Sequence, residues 1–240
     1  QSHKIELRNK DFFIRGYNIS ETAGNSYDMR FTGINMNKYR AQEWFGAYAG
    51  GYLGAVLGGA TDAQAHAGAR IIADDAETLQ PGTAEFDQLY NQVISDPDVN
   101  TGSKFVDNTQ VTVGEGNYNF SRLLNNVLDL QVGGDYRQYS LNSGGTIFTD
   151  YDGPINYSQY GAYAQASKKF LAEERMKLTA SIRMDKNEFF DASISPRVSL
   201  TYSAGDKKQH NLRASYQTGF RNPDTQSLFI GFDVGRAILV

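Results

Sequence analysis

The sequence predicts an all-β chain, part of a large antiparallel transmembrane β-barrel that carries one long, partly helical loop. Three observations predict it. Residues 127–139, 157–170, 176–185, 195–203 and 210–220 alternate apolar and polar side chains with period two, which gives each strand one apolar and one polar face. The 15 Tyr, 14 Phe and 24 Gly favour strands joined by many turns. Tight polar connections at Arg8–Asp11, Ser121–Asn126, Ala172–Arg175 and Ala204–Gln209 alternate with long ones at 21–108, 142–156, 186–194 and beyond Arg221. Alternation alone suits a half-buried soluble sheet equally well. Short turns at one end and long loops at the other are the mark of a barrel in a membrane.

His3–Leu7 reads as the end of one strand and Phe12–Ser20 as the next. Gly24–Lys38 is expected to extend that strand pair beyond the rim. Glu43–Ala60 and Ala63–Leu79 are expected as helices on their alanine content. Thr83 is expected to cap a further helix with Phe86, Leu89, Tyr90 and Val93 on one stripe, ending at Asp96-Pro97. Strands resume at Thr109–Asn119 and Val127–Tyr139, where Leu128, Leu130, Val132 and Tyr136 oppose Asp129, Gln131, Asp135 and Arg137. Tyr157–Phe170 and Met176–Asp185 continue the pattern, with Ile182 and Arg183 on opposite faces. Charge at mid-membrane costs roughly 2–4 kcal/mol, so the apolar faces are assigned to lipid and the polar faces to the lumen.

The last hairpin is the most informative stretch. Ser195-Pro196-Arg197-x-x-Leu200-x-Tyr202 is followed, after a polar turn, by Leu212-Arg213-x-Ser215-Tyr216-x-x-Gly219-Phe220-Arg221-x-Pro223. This pair of linked motifs resembles the barrel of TonB-dependent outer-membrane receptors, and the long helix-bearing loop resembles the Bacteroidetes type. The resemblance covers most of 1–235. It implies about eight strands of a 22-stranded meander around a plugged lumen. It also implies that 1–240 is a partial barrel domain without its plug, cut within a strand at its start and before a closing turn in FDVGRAILV. Pro196, Arg197, Arg213, Gly219, Phe220, Arg221 and Pro223 then carry structural roles. Arg197 and Arg213 point inward to brace the plug, and Arg221 with Pro223 sets the exit from the strand.

Other features bound the function. The net charge of −4, without a basic block, argues against nucleic acid. The chain has no cysteine, hence no disulfide framework or thiolate metal site. No stretch reaches the roughly 18 apolar residues of a membrane helix; Phe45–Ala60 comes nearest. His3, His66 and His210 lie far apart, and no nucleophile elbow or phosphate loop occurs. Neither an enzyme nor a cofactor or bound metal is expected. Asp150 and Asp152 near Asn156 are weighed as calcium ligands, with a solvated acidic turn preferred. Tyr39, Trp44, Phe45, Tyr48 and Tyr52 cluster in the first loop as candidate solute-binding aromatics. Packing of the loop's own helices is the reading ranked ahead of that. Gly54-x-x-x-Gly58 suggests close helix approach.

The resemblance implies an active transporter that binds a scarce solute (small solute, glycan, peptide or metal chelate) at the outer membrane of a Gram-negative bacterium. Its implied partners are outer-membrane lipid, TonB through the plug region, and a surface lipoprotein lid. A passive porin or structural outer-membrane barrel without energy coupling, and a soluble β-rich binding domain, are the alternatives.

Overall fold

The computed structural model describes residues 1–233 and 238–239, and the side chains of all of these except Glu77, Phe232, Asp233, Ile238 and Leu239. The expectation that FDVGRAILV stops short of a turn therefore falls partly outside the described residues. The chain divides into two units.

The first unit comprises Gln1–Thr22, Asn108–Asn142 and Asp150–Phe229. It is an eight-stranded antiparallel meander in strict sequence order. The strands are β1 (Ser2–Arg8), β2 (Phe12–Ser20), β3 (Gln110–Asn119), β4 (Asp129–Leu141), β5 (Ile155–Phe170), β6 (Met176–Asn187), β7 (Phe190–Ala204) and β8 (His210–Gln217). The sheet is open: β1 pairs with β2 and β8 with β7. Between β3 and β8 no α-helix intervenes; the turn at Ala172–Glu174 takes left-handed φ at Glu173 and Glu174.

Register turns the period-two pattern into two contrasting faces. Leu7, Ile14, Gly116, Gly134, Ala162, Met184 and Ile194 stand opposite one another across seven strands. Directly opposed residues share a face, so this row is apolar throughout. One residue along, Glu6, Arg15, Glu115, Asp135, Gly161, Asp185 and Ser193 form the matching row of the other face. The expected faces hold on every strand of the C-terminal half.

Two expected connections are corrected. Residues 186–194 are not a long loop: only Glu188 and Phe189 separate β6 from β7, with a bulge between Asp185 and Asn187. Asn187 Oδ1 accepts from the Phe189 amide at 2.9 Å and Lys186 Nζ donates to the Phe190 carbonyl at 2.6 Å, so side chains close a turn that no Gly-Asn pair announces. The alternation of short and long connections fails at this point. The last strand also ends at Gln217 rather than Phe220. Thr218 N donates to Pro196 O at 3.1 Å, but Pro196 has no N–H to return, so the ladder stops there.

The second unit comprises Ala23–Asp107, Ser143–Thr149 and Ile230–Val240. Its helices are α1 (Met29–Tyr39), α2 (Ala41–Leu57), α3 (Asp62–Glu77) and α4 (Ala84–Val93). Residues 29–38 are therefore helical, not an extension of strands. Asp28 begins the helix by accepting from the Arg30 and Phe31 amides at 2.7 and 3.0 Å. Thr32 and Asn35 then tie α1 to the segment after α4, through Ser103 Oγ at 2.7 Å and the Gly102 carbonyl at 2.6 Å. Thr83 caps α4 as expected. A capping box of Thr61 and Gln64 starts α3.

Helices α2 and α3 form an antiparallel hairpin with a small-residue seam. Ala65, Ala69 and Ala73 are fully buried. A Cβ on Gly51 would sit 3.2 Å from the Ala69 Cα. Close approach thus occurs at Gly51, and Gly54 faces open space.

Candidate functional site

The first unit presents a band sized for a bilayer. On β6, Met176 and Lys186 bound the apolar positions Leu178, Ala180, Ile182 and Met184. At the tilt of about 40° usual for outer-membrane barrels, ten steps of about 3.4 Å would rise about 26 Å, close to their roughly 25 Å apolar band. At the tight-turn end the band meets aromatics: Phe12 stacks on Tyr118, whose ring lies 4.5 Å from Phe120. At the other end Tyr136 opposes Tyr160. Beyond them the same face turns polar, at Asn18, Thr112, Gln138 and Ser158, which stand in one row. These strands outrun the apolar band at the end from which the chain leaves for 21–109.

The opposite face carries a charge ladder. Arg183 Nη2 donates to Asp135 Oδ1 at 2.7 Å and to Asp185 Oδ1 at 2.6 Å, and its Nε lies 2.9 Å from both Asp185 oxygens. Arg15 pairs with Glu115, and Lys4 with Glu6 at 2.7 Å. Two glycines make room for this layer. A Cβ on Gly161 would fall 2.6 Å from Asp185 Oδ1, and one on Gly133 2.7 Å from the Tyr163 ring. Tyr163 thereby lies across Gly133 and its hydroxyl accepts from Asn117 Nδ2 at 2.7 Å. Neither Asp135 nor Arg183 could be paired from the sequence, because they sit two strands apart.

The motif residues separate. Pro196 lies on the apolar face opposite Ile182. Arg197, opposite Ser181 and Gln217, and Arg213, opposite Thr201, are exposed on the polar face. Gly219, Phe220, Arg221 and Pro223 follow the strand rather than ending it. Phe220, Asn222 and Pro223 instead line a hollow of about 240 Å³ with Asp135, Arg183 and Asp185. Phe220 thus borders the charged face of the sheet. The helix α5 (Thr225–Phe229) packs Phe229 on Tyr157, which also stacks on Tyr139 at 4.5 Å and hydrogen-bonds Thr225 at 2.7 Å. Tyr157, 1 % exposed, is the largest fully buried side chain among the described residues. Nothing in the sequence distinguished it from the other tyrosines.

In the second unit, three of the five loop aromatics are committed to packing. Trp44, Tyr48 and Tyr52 recur every fourth residue on α2 and meet His66, Asp62 and Asp74 of α3. Trp44 stacks on Tyr48 at 5.3 Å and donates from Nε1 to Asp74 at 2.9 Å. Tyr48 Oη lies 2.6 Å from His66 Nδ1, and the Tyr52 ring 4.5 Å from that imidazole. Tyr52 donates to Asp62, and that bond holds its phenol pKa above the ordinary value. Tyr39 and Phe45 remain 58 % and 64 % exposed. Phe45 and one edge of Trp44 line an open groove of about 1060 Å³ with α1, the end of α3 and Phe86 of α4.

Asp150 is 3 % exposed rather than solvated, and its carbonyl closes a turn onto the Gly153 amide. Among the described residues no group of three His, Cys, Asp or Glu is placed to hold a metal.

A family profile described as TonB dependent receptor-like, beta-barrel matches residues 6–238. No curated protein and no solved structure matches the chain. A meander with one apolar and one charged face, and a profile spanning nearly its whole length, agree: the chain belongs to the TonB-dependent receptor-like β-barrel family, outer-membrane receptors and transporters of Gram-negative bacteria.

Proposed function

We propose that the chain is a barrel segment of an active transporter that binds a scarce solute outside the cell and imports it with energy from TonB. What carries this reading is the two-faced meander: an apolar band about 26 Å tall backed by a ladder of paired charges. In this reading residues 1–240 form one barrel domain, and 21–108 is an extracellular insertion rich in short helices. The polar extension of β2 to β5 beyond the band supports that side for the insertion. Arg197 and Arg213, exposed on the polar face, would hydrogen-bond a plug domain; Arg221 and Pro223 shape the exit from β8. A Bacteroidetes-type receptor with a surface lipoprotein lid, taking up glycans, peptides or metal chelates, is the finer form of the proposal.

The test is uptake by cells expressing the whole receptor, with candidate solutes, in strains with and without TonB. Accumulation that requires TonB is the expected result. Equal accumulation in both strains would make the protein a passive pore.

A further inference from the structure

We propose that the connection between β3 and β4 is a foot that inserts into the periplasmic leaflet of the outer membrane, with anionic phospholipid as its partner. It rests on the assignment of the apolar face to lipid, and not on transport. At the tight-turn end of the sheet, residues 9–11 and 205–209 join their strands without an apolar side chain. Residues 120–128 instead read Phe-Ser-Arg-Leu-Leu-Asn-Asn-Val-Leu. Leu123 is 68 %, Leu124 38 % and Val127 64 % exposed. Large apolar side chains gathered on one turn leave surface that an apolar partner would remove from water. What covers them follows from what they continue. The Phe12–Tyr118 stack and Phe120, 4.5 Å from Tyr118, edge the apolar face at this end. The Phe120 amide donates to the Leu130 carbonyl at 2.7 Å, and Leu130 stands opposite Ala166 on the same face. The exposed residues therefore follow directly on the band assigned to lipid, at the end where barrel turns are periplasmic.

The foot is held in one shape. Leu124 N donates to the Phe120 carbonyl at 3.0 Å, and Asn126 N to that of Ser121 at 2.8 Å. Ser121 Oγ donates to Asp129 at 2.7 Å. Asn125 and Asn126 take left-handed φ of 50° and 59°, a region asparagine tolerates better than most side-chained residues. Arg122 Nε donates to Asp11 Oδ1 at 3.0 Å and so ties the foot to the turn between β1 and β2. A surface already ordered loses little further entropy on meeting its partner. Charge then selects the headgroup. Lys10, exposed in that neighbouring turn, has no ion pair among the described residues, whereas Arg122 is matched by Asp11 and Arg8 lies 3.4 Å from Glu6. An ammonium at the rim of an apolar surface suits the phosphate of a phospholipid, most of all where the lipid carries net negative charge.

The test uses the whole receptor, with any cysteine elsewhere replaced, in vesicles of phosphatidylcholine containing phosphatidylglycerol. Leu123→Cys and Val127→Cys each carry a nitrobenzoxadiazole label. Lys207→Cys, in the turn between β7 and β8, carries the same label, so the label's own affinity for lipid is common to all three. The labels at 123 and 127 should be quenched by lipid bearing a nitroxide near its headgroup and shielded from iodide present on both sides of the membrane. The label at 207 should show the reverse. With the nitroxide on phosphatidylglycerol instead of phosphatidylcholine, at the same mole fraction, quenching at 123 should be stronger. Lys10→Gln should weaken that preference about fivefold, the worth of one lysine at a lipid surface. Labels at 123 and 127 quenched by iodide and not by lipid, as at 207, would overturn the proposal and make the turn a surface for a periplasmic protein. Equal quenching by the two lipids, or a preference that survives Lys10→Gln, would each overturn it as well. Every readout needs only a folded barrel in lipid, so the transport reading keeps its own uptake test.

Discussion

Ile182 and Arg183 are neighbours on β6 that face opposite sides, and exchanging their environments gives the sharpest stability contrast. Ile182 stands in a row with Val132, Ala164 and Pro196. It is six steps from Met176 and four from Lys186, or about 16 and 10 Å from the edges of the band at a tilt of about 40°. That is near mid-membrane, where Ile182→Arg should cost roughly 2–4 kcal/mol. Arg183→Ser is not harmless either. It strips the cation from between Asp135 and Asp185, whose side chains are 14 % and 25 % exposed. Removing one partner of a fully buried pair costs roughly 3–5 kcal/mol. Arg183 is itself 36 % exposed, so water screens the loss, and about 1–2 kcal/mol is expected. The assay is urea unfolding of the whole receptor from phosphocholine vesicles. Adding Asp185→Asn to Arg183→Ser should recover part of the loss, because one of the two opposed carboxylates is then neutral. A larger loss from Arg183→Ser than from Ile182→Arg would mean that the charged face is the buried one, and the assignment of faces would fail.

Other consequences follow from single contacts. Gly133→Ala should destabilise the barrel by about 1–3 kcal/mol through overpacking against Tyr163. With Tyr163→Ala already present the same change should cost much less, a non-additivity visible in the same unfolding assay. Thr61→Ala removes the cap of α3 and should speed amide exchange in its first turn, at a cost of about 0.5–2 kcal/mol. The raised pKa of Tyr52 comes from its bond to Asp62, so the neutral phenol is favoured when folded. Its contribution is therefore complete below the ordinary value of about 10 and is lost as pH rises beyond it. Absorbance titration should show a late-ionising tyrosine that disappears in Tyr52→Phe and returns to the ordinary range in Asp62→Asn.

Much of the barrel segment was legible because its signal is local. Period-two alternation depends only on neighbours in sequence, and it placed Leu178, Ile182 and Leu200 on one face and Arg183, Arg197 and Arg213 on the other. Helix α4 was legible for the same reason, since Thr83 and the stripe ending at Val93 lie within one short segment. What escaped depends on partners distant in sequence. Residues 29–38 show weak apolar periodicity, and their helix is fixed by Asp28 at its start and by bonds to Ser103 and Gly102. The β6–β7 turn is closed by the side chains of Asn187 and Lys186, which carry no turn signature. The motif suggested a strand running to Phe220, but the missing N–H of Pro196 on the neighbouring strand ends it sooner. The groove draws on four helices, so Phe45 and Phe86 gave no sign in sequence of lying together.

The central claim is that even-numbered residues of β6 face lipid while odd-numbered ones face an aqueous lumen. Residues 1–240 contain no cysteine, so in a receptor with any cysteine elsewhere replaced, single substitutions from Leu178 to Asp185 can each carry a spin label. The decisive measurement is accessibility of those labels, in the whole receptor in lipid vesicles, to oxygen and to a water-soluble nickel chelate. Oxygen access should peak at Leu178, Ala180, Ile182 and Met184, and chelate access at the positions between them. A flat profile, or the two maxima exchanged, would contradict the account.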